Sequence, residues 1–210
     1  MTRSQAVARI GKPLVWTIGL MPVVWIVYGL VTNALGAEPV REIQHITGLS
    51  ALVSLLLSLA VSPIRRMLEF GELIRLRRPI GLFAFFHASL HLATYAVFDQ
   101  SLDPRLIIED IVEHPWVLAG FAGWLIMVPL AVTSTTGMIR RLGGARWRLL
   151  HRGAYLAALA GALHFLWLVK KDVTEPYIYL AVLGVLLVAR VPFRRNAASP
   201  TSAAERSTER

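Results

Sequence analysis

The chain has no cysteine in 210 residues. That absence excludes structural disulfides, thiolate-bound zinc, iron–sulfur clusters and the thioether attachment of a c-type haem. Charge is missing from long stretches as well. The segments Pro13–Ala37, Ile43–Ile64, Pro79–Phe98, Pro115–Ile139, Gly153–Val169 and Pro176–Ala189 contain no Asp, Glu, Lys or Arg. A soluble domain also has about half its residues apolar, but it scatters charges among them. The chain also lacks a Gly-rich dinucleotide fingerprint and a soluble stretch long enough for a flavin or nicotinamide domain.

The uncharged segments have the length of membrane spans, which need about 20 mainly apolar residues. Pro176–Ala189 is short, and reaches that length if Arg190 snorkels and the span continues to about Phe193. Backbone polar groups in lipid must be satisfied within each segment, so the spans are helices. The expected fold is an all-α membrane protein, a bundle of six transmembrane helices. Residues 1–12 precede it, 13–193 form it, and 194–210 make a tail too polar to fold alone. Arg3, Arg9 and Lys12 with Ala34-Leu35-Gly36 resemble a cleavable signal, but the apolar run is too long, so it reads as a retained first span.

The net charge of +9 suggests nucleic acid only until its placement is considered. With a cytoplasmic N-terminus, 18 of the 22 basic residues fall on inner segments; Arg41, Arg105, Lys170 and Lys171 are the exceptions. Nine of the 13 acids fall outside, from Glu38 to Glu175. The basic excess therefore encodes topology, with both termini cytoplasmic, and the inner arginines suit anionic lipid headgroups. Leu106-Ile107-Ile108, flanked by charge in the outer loop, is expected to lie as a short interfacial helix.

Histidine carries the chemistry. Ionisable side chains inside a bilayer are costly, and their default reading is functional. His91 lies about 18 Å along the third span and His164 about 22 Å along the fifth, which runs the same way. Neutral imidazoles at matching depth on two helices are what haem iron takes as axial ligands. The plainer alternative is a hydrogen bond from each to a neighbouring helix. His151 stands 13 residues before His164, roughly 140° around an ideal helix, so a second haem stacked there requires a bent or re-wound helix. The inner part of the third span offers Arg77 and Arg78 instead of a histidine. His151 is left as a lone ligand to a second haem, a flavin or propionate contact, or an interfacial side chain.

His87, one turn before His91, reads mainly as core. His45 opens the second span beside Gln44, where a quinone headgroup, a partner protein or a propionate could meet it; a simple interfacial role fits as well. His114 reads as an ordinary loop residue. Gly81, Gly120, Gly123, Gly153 and Gly161 permit close approach of helices or of a flat ring. Arg75, Arg77, Arg78, Arg146 and Arg148 could pair with a flavin phosphate or with haem propionates, besides signalling topology.

Several strings resemble one family. They are Glu38-Pro39-Val40-Arg41-Glu42-Ile43-Gln44-His45, Ser89-Leu90-His91-Leu92-Ala93-Thr94-Tyr95, Thr133-Ser134-Thr135, Arg140-Arg141-Leu142-Gly143, Trp147-Arg148-Leu149-Leu150-His151 and His164-Phe165-Leu166-Trp167-Leu168-Val169-Lys170. Over nearly the whole chain except the tail, these are similar to the MsrQ (YedZ) family, haem-binding membrane subunits within the ferric-reductase-like transmembrane group. The resemblance implies a bacterial inner-membrane, multi-pass b-type cytochrome with haem b and FMN. It would carry electrons from the quinone pool or a cytoplasmic flavin reductase to an MsrP-like periplasmic molybdopterin enzyme that repairs methionine sulfoxide in proteins. The family's histidines fall on His91, His151 and His164, with His45 in its Gln-His motif. Thr133, Ser134 and Thr135, with the inner arginines, are the candidates for FMN. In this reading the catalytic site belongs to the partner. Two other functions compete: a stand-alone ferric or quinone reductase, and a small transporter whose histidines relay protons.

Overall fold

The computed structural model describes residues 2–190, and within them all regular structure is helical. The expected tail, 194–210, and Phe193 lie outside the described residues. α1 (Lys12–Thr32) continues from helical turns at Arg3–Ala6 and Val7–Gly11. α2 is Pro39–Met67; α3, Ile74–Thr94, is prolonged by a π-turn at Tyr95–Asp99. Then follow α4 (Pro104–Glu113), α5 (Pro115–Val132), α6 (Thr136–Leu142), α7 (Gly144–Leu150), α8 (Gly153–Leu168) and α9 (Thr174–Val188). Five stretches are long and apolar enough to cross a membrane: Ser4–Thr32, Pro39–Met67, Gly71–Asp99, Pro115–Val132 and Gly144–Leu168. Thr174–Val188 is a shorter apolar helix beside them. The protein is a multi-pass helical membrane bundle.

Local chemistry sets the helix ends. Proline occupies the first turn of α2, α4 and α5, where its missing N–H would have had no partner. Asn33, at φ 56°, closes α1 in the left-handed conformation. α4 is the helix expected around Leu106-Ile107-Ile108; the Asp103 carboxylate caps it by accepting from the Arg105 N–H at 2.8 Å.

The uncharged run Pro115–Ile139 does not stay one helix. Thr133 and Ser134 donate their hydroxyls to the carbonyls of Pro129 (2.6 Å) and Leu130 (2.7 Å), and Thr135 accepts from the Met138 N–H to start α6. Short polar side chains that bond the backbone compete with helix continuation. A second break separates α7 from α8 at His151–Arg152. Whether the last span continues to Phe193 lies outside the described residues; within them, the Arg190 guanidinium donates to the Tyr155 hydroxyl and the Leu59 carbonyl. Pro63 explains the attraction, because without an N–H it leaves the carbonyl four residues earlier, that of Leu59, without its helical donor.

α2 packs chiefly on α3, and α5 on α8; α3 also meets α5, α2 meets α8, and α9 lies on α8 and α2. Their shared core joins Leu52, Leu55, Leu56 and Leu59 of α2 with Ala84, Met127, Ala154, Ala157, Ala158, Ala162 and Leu183. The alanine face of α8 lets α2 and α5 approach closely, as small residues do in membrane bundles. α1 is peripheral, with Trp16, Met21, Val24 and Val31 exposed toward lipid. It docks on α3 at Gly19, where an added Cβ would lie 2.6 Å from the Phe83 ring.

Candidate functional site

α3 and α8 bring His91 and His164 together, with ring centroids 6.0 Å apart and planes inclined by 75°. The two rings are held in matching ways. His91 Nδ1 lies 3.0 Å from the Gln44 carbonyl of α2, and His164 Nδ1 lies 2.6 Å from the Trp116 carbonyl of α5. A carbonyl oxygen only accepts, so each Nδ1 carries the proton and donates it. Each Nε2 then keeps its lone pair, which is the tautomer a metal ligand requires.

The neighbouring backbone repeats too. Gly48 follows Gln44 by four residues, and Gly120 follows Trp116 by four. A Cβ on Gly48 would come within 3.1 Å of His91 Nδ1, and one on Gly120 within 2.9 Å of His164 Nδ1. One turn beyond each accepting carbonyl, the helix surface is therefore bare, and the imidazole lies flat in that notch. Thr47, which donates to the Ile43 carbonyl at 2.7 Å, flanks His91 at 3.5 Å.

This donor set fits a haem. The two rings are close enough that His91 and His164 would together hold one haem iron through their free Nε2 lone pairs. Among the described residues no group of three or more His, Asp or Glu side chains could hold a metal ion. Two nitrogens do not complete a protein-only metal site, whereas a macrocycle supplies four more.

The other sequence-designated residues lie elsewhere. His151, at the α7–α8 break, stacks on Trp147 at 3.9 Å, and its Nε2 lies 3.1 Å from Thr133 Oγ1. The Thr133 proton is directed at Pro129, so the imidazole Nε2–H donates to Thr133 and that nitrogen is engaged. His87 is buried with Nε2 2.9 Å from the Gly19 carbonyl of α1, packed against Phe83 and Phe86, a core residue of the α1–α3 seam. His114 pairs with Asp110 at 2.8 Å, and Asp110 also takes hydrogen bonds from Tyr95 (2.5 Å) and Gln100 (3.1 Å).

His45 is exposed and lines an open recess of about 540 Å³ with Leu35, Ala37, Glu38, Arg41 and Glu42. Gln44 borders an adjoining recess of about 250 Å³ and donates from Nε2 to Asp99 at 2.5 Å, while its carbonyl holds His91. Gln44 thus links the histidine pair to the surface.

In the Thr133–Ser134–Thr135 stretch the hydroxyls of Thr133 and Ser134 are given to local carbonyls, whereas Thr135 accepts from the Met138 N–H and keeps its own proton. Of the arginines expected beside it, Arg75 donates to Ser4 at 2.6 Å, and Arg78, Arg146 and Arg148 are exposed on α3 and α7. Arg77 is half-buried in another cluster. Sequence reading did not single out Gly48 or the Trp116 carbonyl. The available signal was a glycine four residues after Gln44, repeated after Trp116, on helices adjoining those of the two histidines.

The chain is similar to known proteins over most of its length. Residues 47–162 match the family described as "Ferric reductase like transmembrane component". A Xanthomonas euvesicatoria pv. vesicatoria protein named "Protein-methionine-sulfoxide reductase heme-binding subunit MsrQ" is 42% identical, over 99% of this chain and 97% of its own. Proteins of the same name from Rhodospirillum rubrum (43%, over 92% of this chain and 95% of the relative) and Xanthomonas campestris pv. campestris (47%, over 82% and 78%) are similar. Identity of this order over most of the chain, together with the family match, places the chain in the MsrQ family of ferric-reductase-like transmembrane proteins.

Proposed function

We propose that this protein is a b-type cytochrome subunit that carries electrons across the bacterial inner membrane. The receiving partner would be an MsrP-like periplasmic molybdopterin enzyme that reduces methionine sulfoxide in oxidised proteins. Electrons enter from the quinone pool or from a cytoplasmic flavin reductase. The carrying observation is the His91–His164 pair, whose Nδ1 protons are both committed to backbone carbonyls while both Nε2 lone pairs stay available. The names of the relatives, haem-binding subunits of a methionine sulfoxide reductase, support the same reading.

His91 and His164 would hold haem b, without covalent attachment, in a chain that has no cysteine. When bound, the haem supplies one-electron exchange between ferric and ferrous iron. The remaining work belongs to the chain. The carbonyls of Gln44 and Trp116 prevent the rings from rotating and raise their basicity. Leu52, one turn beyond Gly48, and Ala162, two residues before His164, are buried and help keep water out. Charge sets the direction. The ends rich in arginine lie in the cytoplasm by the positive-inside rule, and the acidic turn and loop at Glu38–Glu42 and Asp99–Glu113 face the periplasm. The Gln44–His45 recess then opens toward the partner, with Gln44 as the short link from ligand to surface.

The test is spectroscopic. Purified protein should show a low-spin haem spectrum that sharpens on dithionite reduction, and His91→Ala and His164→Ala should each remove it. A colourless protein, or an unchanged spectrum in both variants, would overturn the assignment. The ferric-reductase alternative predicts reduction of a ferric chelate by the isolated chain with no partner present.

A further inference from the structure

A second cluster lies at the opposite end of the bundle and takes no part in holding the histidines. Arg190, just after α9, donates from Nη1 to the Tyr155 hydroxyl of α8 and from Nη2 to the Leu59 carbonyl that Pro63 leaves free. Its guanidinium also sits 4.8 Å from the centre of the Tyr155 ring. α3 adds Arg77, whose own carbonyl accepts from Ser58 Oγ at 3.2 Å. α2 adds Arg65, seven residues beyond Ser58 and therefore on the same face. Arg77 is within electrostatic reach of both Arg65 and Arg190. The three are half-buried, and no described carboxylate forms an ion pair with any of them.

Two of these guanidinium groups are unsatisfied. The Nε of Arg65 and the Nε of Arg190 are buried and have no acceptor. Converging like charges repel, and a buried N–H without a partner carries its desolvation penalty in full. Both penalties fall if one anion with several oxygens sits among the three groups. A tetrahedral phosphate matches guanidinium forks, and three cations outnumber what a single carboxylate can occupy. The Tyr155 hydroxyl accepts from Arg190, so its own proton is free to donate to such an oxygen.

We propose that Arg65, Arg77, Arg190 and Tyr155 form a phosphate-binding site, filled by the headgroup of an anionic phospholipid or by a soluble phosphate. The inference is independent of the haem reading, and its test reads binding alone.

The full-length protein is purified in an uncharged detergent and its unfolding midpoint followed in mixed micelles. The additives are phosphatidylglycerol, phosphatidylcholine, or inorganic phosphate against chloride at equal ionic strength. Phosphatidylglycerol should raise the midpoint by roughly 5 °C or more at on the order of a hundredfold excess over Kd. Phosphatidylcholine should not. The rise should vanish in Arg65→Gln and Arg190→Gln, return in part in Arg65→Lys, and persist in Arg41→Gln at the other end. A rise with inorganic phosphate that the same variants abolish assigns the site to soluble phosphate instead. Should Arg190→Gln fail to fold, the two Arg65 variants decide alone, since the Arg65 Nε bonds nothing in the fold. Equal shifts in wild type and Arg65→Gln, or no shift with either ligand, would overturn the proposal.

Discussion

The two ends of this bundle place cationic or potentially cationic side chains in low dielectric, and they treat them differently. At one end, His91 and His164 each have a backbone carbonyl for one nitrogen and a glycine notch for the ring, so the second nitrogen is left free by design of the surroundings. At the other, His151 is engaged through Nε2 with Thr133 and stacked on Trp147. At that end of the bundle Arg65 and Arg190 have buried Nε–H groups that lack partners. The same residue type has its Nδ1 tied to a carbonyl in one place and its Nε2 tied to a hydroxyl at a helix break in the other. Helical neighbours make the difference: a carbonyl fixes the ligand tautomer, whereas a hydroxyl that has already given its proton away consumes Nε2.

Substituting the histidines probes this contrast most strongly. His91→Ala or His164→Ala should abolish bound haem, while His151→Ala should leave at least one haem per chain, measured by haem extraction and protein assay. Complete loss of haem in His151→Ala would erase the distinction between the two ends.

Filling the notches comes next. Gly120→Ala places a methyl 2.9 Å from His164 Nδ1, and Gly48→Ala places one 3.1 Å from His91 Nδ1. Overpacking of this kind costs about 1–3 kcal/mol. Haem occupancy should fall and the low-spin electron paramagnetic resonance signal should shift, more for Gly120 than for Gly48. Wild-type signals in both variants would mean that the notches do not position the rings.

At the arginine end, Trp147→Phe removes the indole N–H that donates to the Thr133 carbonyl at 3.0 Å and weakens the stacking on His151. A loss of about 1 kcal/mol is expected, a thermal shift of roughly 2–4 °C, with the haem spectrum unchanged. The smallest effect belongs to Ser89→Ala, which deletes the acceptor of the Trp124 indole (3.0 Å) between α3 and α5. It should cost about 0.5 kcal/mol and leave haem content intact, again by thermal unfolding and absorbance.

Most of the architecture was legible in the residues. Uncharged runs located the helices, because lipid tolerates neither charge nor unbonded backbone, and charge at their edges defined where each run stops. The depth argument for His91 and His164 also held, since rise per residue is the same in every helix and both spans run in one direction. The run Thr133-Ser134-Thr135-Thr136-Gly137 already marks the end of the fourth span, and hydroxyl-to-backbone bonds are what stop the helix there. The break at His151–Arg152 was less visible. The partners of Arg190 were not legible, because one of them is a carbonyl freed by Pro63, on a helix far away in sequence.

Sequence alone settled what must lie inside the membrane: the spans, the intramembrane imidazoles and the segregation of basic from acidic loops, all consequences of moving polar groups between water and hydrocarbon. Tertiary structure decided what each of those groups faces. His87 and His91 lie one turn apart on one helix, yet the first meets the Gly19 carbonyl of α1 and the second meets α2 and His164. That choice depends on how each helix is rotated about its axis. In spans that are apolar on every side, small residues and spare carbonyls on neighbouring helices set the rotation, and no pattern within one helix records them.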